Sequence, residues 1–200
     1  MSPFMENVIW KLETWLHCRC YAILRQSLKS NSCDVSKPEH ITIRQATVED
    51  LEKVVQKPEL EISGEFVKSA LATEDRCFAA FVNEDMVAYT WRTRQSAPHE
   101  DVGVSVKPPY CYGYKGLTLP DFRGLRLNSH VNHAANVSYL AEGFTHFLTF
   151  ASVYNTSSLR AMKKSAGYER IGYMVYGHWF GKFWLLRSPR VKLTGMRFGG

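Results

Sequence analysis

The chain has 200 residues, of which 45% are apolar and 22% charged, and a formal net charge of +6. That length fits one domain with a real core, and the composition is that of an ordinary globular protein rather than a disordered or fibrous one. Nowhere do eighteen uncharged apolar residues run together, which excludes a membrane-spanning helix, and the odd, irregularly spaced set of five cysteines argues against a disulfide scaffold.

From Glu6 to Leu28, apolar positions such as Val8, Ile9, Leu12, Leu16, Ile23 and Leu24 recur at roughly helical spacing, which predicts a helix. The segment lacks the basic start, apolar middle and small-residue cleavage site of a signal peptide, so a cytoplasmic location is expected. His17, Cys18, Cys20 and Cys33 are a conceivable metal set. On a helix, however, C-x-C points its sulfurs apart, and structural zinc favours C-x2-C or wider pairs, so no metal is expected. The polar run KSNSCDVSKPEH reads as a linker. Residues 1–40 are thus expected to be a helical appendage, residues 41–187 the domain, and residues 188–200 a loose basic tail.

From Ile41 the elements alternate. ITIRQA has strand alternation, and Thr47 caps a helix over VEDLEKVV, with Glu49 and Asp50 in its first turn. A second helix is predicted over Ser63–Leu71. Two strands follow around Asn83, Glu84 and Asp85, with Phe78, Ala80 and Val82 facing Val87, Tyr89 and Trp91. A loop from Thr93 leads into the strand YCYGYKGLTL, where Gly113 and Gly116 suggest a bulge. After Arg123 a helix is predicted, burying Leu127, Val131, Ala134, Tyr139 or Leu140, and Phe144, and turning Asn128, Asn132, His133 and Asn136 outward. HFLTFASVY is a buried strand. Asn155 or Thr156 then caps SSLRAMKKSA, which Gly167 stops, and an aromatic hairpin follows. From Gly143 onward nine Lys or Arg oppose Glu169 alone, which suits an acidic partner or a phosphorylated ligand. Nucleic acid is not the expected partner, because these cations are mixed with aromatic strands and no nucleic-acid module is visible.

The order β-α-α-β-β-β-α-β-α-β-β resembles the Gcn5-related N-acetyltransferases (GNAT). ITIRQATVEDLEKVV, LTLPDFRGLRLN and NTSSLRAMKKSAGYERIG carry the resemblance, over about Ile41 to Leu186. It implies an α+β fold: a mixed central sheet of about seven strands, splayed between the fourth and fifth, flanked by helices, with the N-terminal helix added. It also implies an N-acyltransferase moving an acyl group from acetyl-CoA or another acyl-CoA to the amine of a small molecule or amino acid.

In the family, the loop Q/R-x-x-G-x-G/A grips the diphosphate of coenzyme A. Arg123 matches its first position, Arg126 stands at the second glycine and Asn128 at the final Gly or Ala. The resemblance therefore assigns donor binding to Arg123, Gly124, Leu125, Arg126, Leu127 and Asn128. To these it adds Leu117, Thr118 and Leu119 along the pantetheine arm, and Asn155 and Ser158 on the closing helix. A helix start bears unpaired N–H groups and partial positive charge, so arginines beside it suit a diphosphate. Family members that make N-acyl amino acids draw on an acyl carrier protein, an acidic partner that the basic surface would suit. A non-catalytic CoA-binding protein is the other alternative, and a homodimer is compatible with either.

Many relatives use a glutamate on the fourth strand to deprotonate the amine, but Tyr110–Leu119 holds no Asp, Glu or His. Met162 stands where relatives place a tyrosine to protonate the thiolate. The catalytic candidates are therefore Tyr112, Tyr114 and Tyr154. Tyr89, Trp91, His178, Trp179 and Phe180 are expected to give the acceptor side an aromatic lining.

Overall fold

A computed structural model describes residues 18–28, 39–99, 102–164, 167–180 and 182–199. The first element is strand β1 (Cys18–Ser27). This corrects the helix expected as far as Leu28; the part of that helix before Cys18 lies outside the described residues. Tyr21 and Ile23 enter the core on one face of the sheet, Ala22 and Leu24 on the other. A strand buried on both faces reads as an unbroken apolar run, and over a few residues such a run cannot be told from a buried helix. Cys18 and Cys20 therefore lie on a strand, where positions i and i+2 share a face, so the helical argument about their sulfurs does not apply. His17 and Cys33 lie outside the described residues.

β2 (Ile41–Gln45) leads to helix α1 (Val48–Val55). The Thr47 hydroxyl accepts from the Asp50 N–H at 3.2 Å, while the Asp50 carboxylate accepts from the Thr47 N–H at 2.7 Å, forming a capping box. Ser63 caps α2 (Gly64–Ala72). β3 (Arg76–Val82) and β4 (Asp85–Thr93) are joined through Asn83 and Glu84, both at positive φ (48° and 68°), as a tight hairpin needs. The pairing differs by one residue from expectation: Cys77 opposes Trp91 and Ala79 opposes Tyr89, which places Tyr89 and Trp91 on the face opposite Phe78 and Ala80.

The expected loop after Thr93 contains β5 (Ser96–His99) and β6 (Val102–Ser105). Then come β7 (Tyr110–Thr118), α3 (Leu127–Ala141), β8 (His146–Ser152), α4 (Thr156–Lys164), β9 (Tyr168–Trp179) and β10 (Lys182–Arg187). The tail is not loose: it forms α5 (Pro189–Leu193) and β11 (Arg197–Gly199), and Val191 and Met196 are buried. Among the described residues no helix is long and apolar enough to cross a membrane.

Eight described strands form one mixed sheet in the order β10-β9-β1-β8-β7-β4-β3-β2, one more than expected, because β1 lies between β8 and β9. Residues 18–27 are therefore part of the sheet and not an appendage. β11, β6 and β5 make a small second sheet. One face of the large sheet packs on α3 and α4, through Leu127, Val131, Ala135 and Tyr139 of α3 and Leu159 and Met162 of α4. The other face packs on α1, α2, α5 and the small sheet.

Candidate active site

β7 and β8 run parallel and pair only from Tyr110 to Tyr112 against His146 to Leu148. One side-chain bond follows, from the Thr149 hydroxyl to the Gly113 carbonyl at 3.0 Å. Beyond it the strands part. The ladder between β4 and β7 shifts register at Trp91/Arg92, leaving Tyr114 as the extra residue of a bulge. Gly113 is required there, because a Cβ would stand 2.5 Å from the Phe147 ring.

Past the bulge, the Leu119 N–H donates to the Val87 carbonyl at 2.9 Å, and Leu117 opposes Tyr89. Antiparallel pairs alternate, so the N–H and C=O groups of Gly116 and Thr118 point away from β4, toward the gap. β7 thus presents the N–H and C=O of Gly116 and the N–H of Thr118 at the opening, able to pair with an extended ligand as an added strand.

A 3-10 turn, Pro120–Phe122, ends β7, and Arg123 follows in extended conformation. Gly124 has φ +87° and Arg126 has φ 55°, ψ 24°. Arg126 thus adopts the left-handed conformation that a glycine would take without strain. Among the described residues, the N–H groups of Gly124, Leu125, Arg126, Leu127 and Asn128 donate to no protein acceptor, whereas those of Ser129 and His130 donate to the Arg126 carbonyl. Arg123, Gly124, Leu125, Arg126 and Asn128 are exposed; Leu127, the first residue of α3, is buried in the core. The Arg123 Nε–H donates to the Thr118 carbonyl at 3.3 Å, which holds this guanidinium at the mouth of the gap. An exposed run of donors beside two cations can bind an anion.

Asn155 caps α4: its side-chain oxygen accepts from the Ser158 N–H at 3.1 Å and from the Ser157 hydroxyl at 3.0 Å. Its amide nitrogen makes no bond among the described residues and is free to donate. Ser158 is half-buried in the same first turn.

The three candidate tyrosines have different surroundings. Tyr112 is 1% exposed and stacks on Phe150, with centroids 5.6 Å apart, which makes it a core residue. Burial holds its hydroxyl well above the ordinary tyrosine value. Tyr154 packs beside Ala22, Leu24 and Val153, beneath α4. Tyr114, on the bulge, is half-buried and donates its hydroxyl to Oδ2 of Asp75 at 2.8 Å. Asp75 is 5% exposed, and burial raises its pKa. It is the carboxylate that the strand itself lacks, and as a polar residue in the turn ATEDR nothing in the sequence marks it.

Tyr89 and Trp91 are buried and line no open surface: the Tyr89 hydroxyl donates to the Leu60 carbonyl at 2.9 Å, and Trp91 meets Phe66 edge-on. His178 packs against Phe183, Phe180 is exposed, and the Trp179 side chain lies outside the described residues.

Asn136, expected outside, is buried because Arg92 donates to its side-chain oxygen at 2.7 Å. Arg92 also donates to Oδ1 of Asn132 at 2.9 Å, and Asn132 donates to Oδ1 of Asn128 at 2.8 Å. A chain of side-chain bonds thus runs from buried Arg92 on β4 to exposed Asn128 in the first turn of α3. Arg92 forms no ion pair with a carboxylate among the described residues, and burial lowers its pKa. Its charge lies over the Phe147 ring at 4.0 Å.

No protein-family model matches the sequence, and no curated protein is significantly similar to it. Solved structures do match in shape. An aminoglycoside acetyltransferase from an uncultured soil metagenomic sample, solved with trehalose, is 15% identical, covers 65% of this chain and 90% of its own, and has a TM-score of 0.51. The aminoglycoside N-acetyltransferase AAC(6')-Iy, solved with CoA, is 16% identical, covers 68% and 95%, and scores 0.52. A GNAT-family acetyltransferase from Colwellia psychrerythraea is 12% identical, covers 78% of this chain and 54% of its own, and scores 0.54. With its parted parallel strands and the open loop beyond them, this chain has the fold of the GNAT acetyltransferases.

Proposed function

We propose that this protein is an N-acyltransferase that passes an acyl group, acetyl in the simplest case, from acyl-CoA to the amine of a small molecule or amino acid. The observation that carries this reading is the gap between β7 and β8, which opens onto five unpaired N–H groups from Gly124 to Asn128. Those amides, with Arg123 and Arg126, are the seat for the donor's diphosphate. The outward N–H and C=O of Gly116 and the N–H of Thr118 take the amide-bearing arm, and Asn155 and Ser158, at the start of α4, add polar contacts to it. The CoA carried by a solved protein of the same fold supports this choice of donor. Cys77 and Cys111 are buried free thiols, in keeping with a cytoplasmic setting.

Titration calorimetry with acetyl-CoA tests the reading. Saturable binding is expected, and Arg123→Ala should weaken it about tenfold, the worth of one charge-assisted contact. Absence of saturable binding to acetyl-CoA and to longer acyl-CoA donors would remove the proposal.

A further inference from the structure

An alkylammonium ion has a pKa near 10.4 and must lose a proton before its nitrogen can attack a thioester. β7 carries no carboxylate or imidazole to take that proton, yet the fold brings one to it. Tyr114 lies at the bulge, the last point of β7 before the gap, and its hydroxyl is bonded to Asp75, at the entrance to β3. Its ring stands between Phe66 of α2, at 6.0 Å, and Tyr112, at 6.0 Å, on the face opposite α3. Oδ1 of Asp75 is buried and accepts no hydrogen bond of ordinary geometry among the described residues, while the Thr93 and Thr73 hydroxyls lie near the carboxylate.

We propose that Tyr114 and Asp75 form the proton relay of the acyl transfer, Tyr114 as the catalytic residue that meets the amine and Asp75 as the positioning residue behind it. The inference rests on the acyltransferase reading above. The Tyr114 oxygen takes a proton from the substrate ammonium as its own proton passes to Oδ2 of Asp75. The freed nitrogen lone pair forms a bond to the thioester carbonyl carbon, and the carbon–sulfur bond breaks with its electrons going to sulfur. The second N–H proton goes to that sulfur. Asp75 then returns its proton through Tyr114 to solvent, so ammonium and thioester become amide, thiol and one released proton.

Only an ionised Asp75 can accept, and burial tunes it upward, closer to working pH. The hydroxyls of Thr93 and Thr73 and the cation of Arg94 oppose that rise. Arg94 is shared with Glu74 and Glu142, and Arg76 also pairs with Glu142. Cys77 and Tyr139 complete the titratable groups around the pair. Activity should therefore fall as pH drops through the raised Asp75 pKa.

The test measures thiol release by the full chain from acetyl-CoA, with two acceptor classes: primary alkylamines, and aryl amines that are already neutral at pH 7. Tyr114→Phe and Asp75→Asn should each lower kcat for alkylamines about a hundredfold, the usual worth of a general base. The loss should be far smaller for aryl amines, and Asp75→Asn should remove the acid limb of the wild-type pH profile. CoA affinity should stay at the wild-type value in both variants. The wild-type profile and its amine dependence stand as a second measurement should either variant fail to fold. Equal losses with both amine classes, or variants that keep the wild-type rate and acid limb, overturn the relay and leave the acyltransferase reading in place. A wild-type protein that binds CoA but acylates neither class overturns both.

Discussion

Asp50 is kept ionised by the groups around it. Arg44 donates to both of its oxygens, one contact being 3.0 Å, and the Thr47 N–H and hydroxyl donate as well. These bonds, Arg44 first, hold its pKa far below the ordinary carboxylate value, against the opposing effect of burial. A depressed carboxylate pKa stabilises the folded state at pH above the unfolded value, about 4, and that contribution is lost as pH falls toward the folded value. Asp50→Asn should therefore cost about 2 kcal/mol in urea unfolding at pH 7, and the gap from wild type should close on acidification. This cap was legible in the sequence because Thr47 and Asp50 are three residues apart. The Tyr114–Asp75 and Arg92–Asn136 bonds were not, because their partners lie 39 and 44 residues apart. No local pattern announces such a meeting.

At the scale of elements, the entry to α3 combines a strained residue with a run of N–H groups that have no backbone acceptor among the described residues. Arg126, at φ 55°, occupies a conformation that costs a non-glycine residue about 1 kcal/mol. Arg126→Gly should relieve this strain, partly offset by the added freedom of glycine in the unfolded chain, for a net gain of roughly 0.5 kcal/mol. Thermal unfolding measures it, and a fall in melting temperature would contradict the assignment of strain. The helix itself was readable from its period. The inward turn of Asn136 was not, because polarity predicts exposure unless a buried partner such as Arg92 calls the side chain in. Likewise β1 was misread as helix, because burial on both faces erases the alternation by which a strand is recognised.

For the whole molecule, β1 is the element that closes the sheet. It pairs with β8 from Tyr21 to Ser27 and with β9 from Cys18 to Gln26, and without it those two strands have no common neighbour. Deleting residues 1–28 should expose Leu148, Val153 and Met174, which pack against β1, and abolish cooperative unfolding in circular dichroism. A truncated chain that melts cooperatively at the wild-type temperature would contradict this. The C-terminal segment serves a similar end, since Val191 and Met196 join the same core as Tyr21 and Tyr112.

The sequence by itself determined the short-range features: the Thr47 cap, the Asn83–Glu84 hairpin, the bulge near Gly113 and the turn after Pro120 that opens α3. Each depends on residue preferences and neighbours within a few positions. Only the tertiary structure decided that β1 enters the sheet, that β7 and β8 part after Tyr112, and that Asp75 reaches Tyr114. Those outcomes follow from which distant backbone and side-chain groups can satisfy one another away from water, and hydrophobic periodicity carries no record of that pairing.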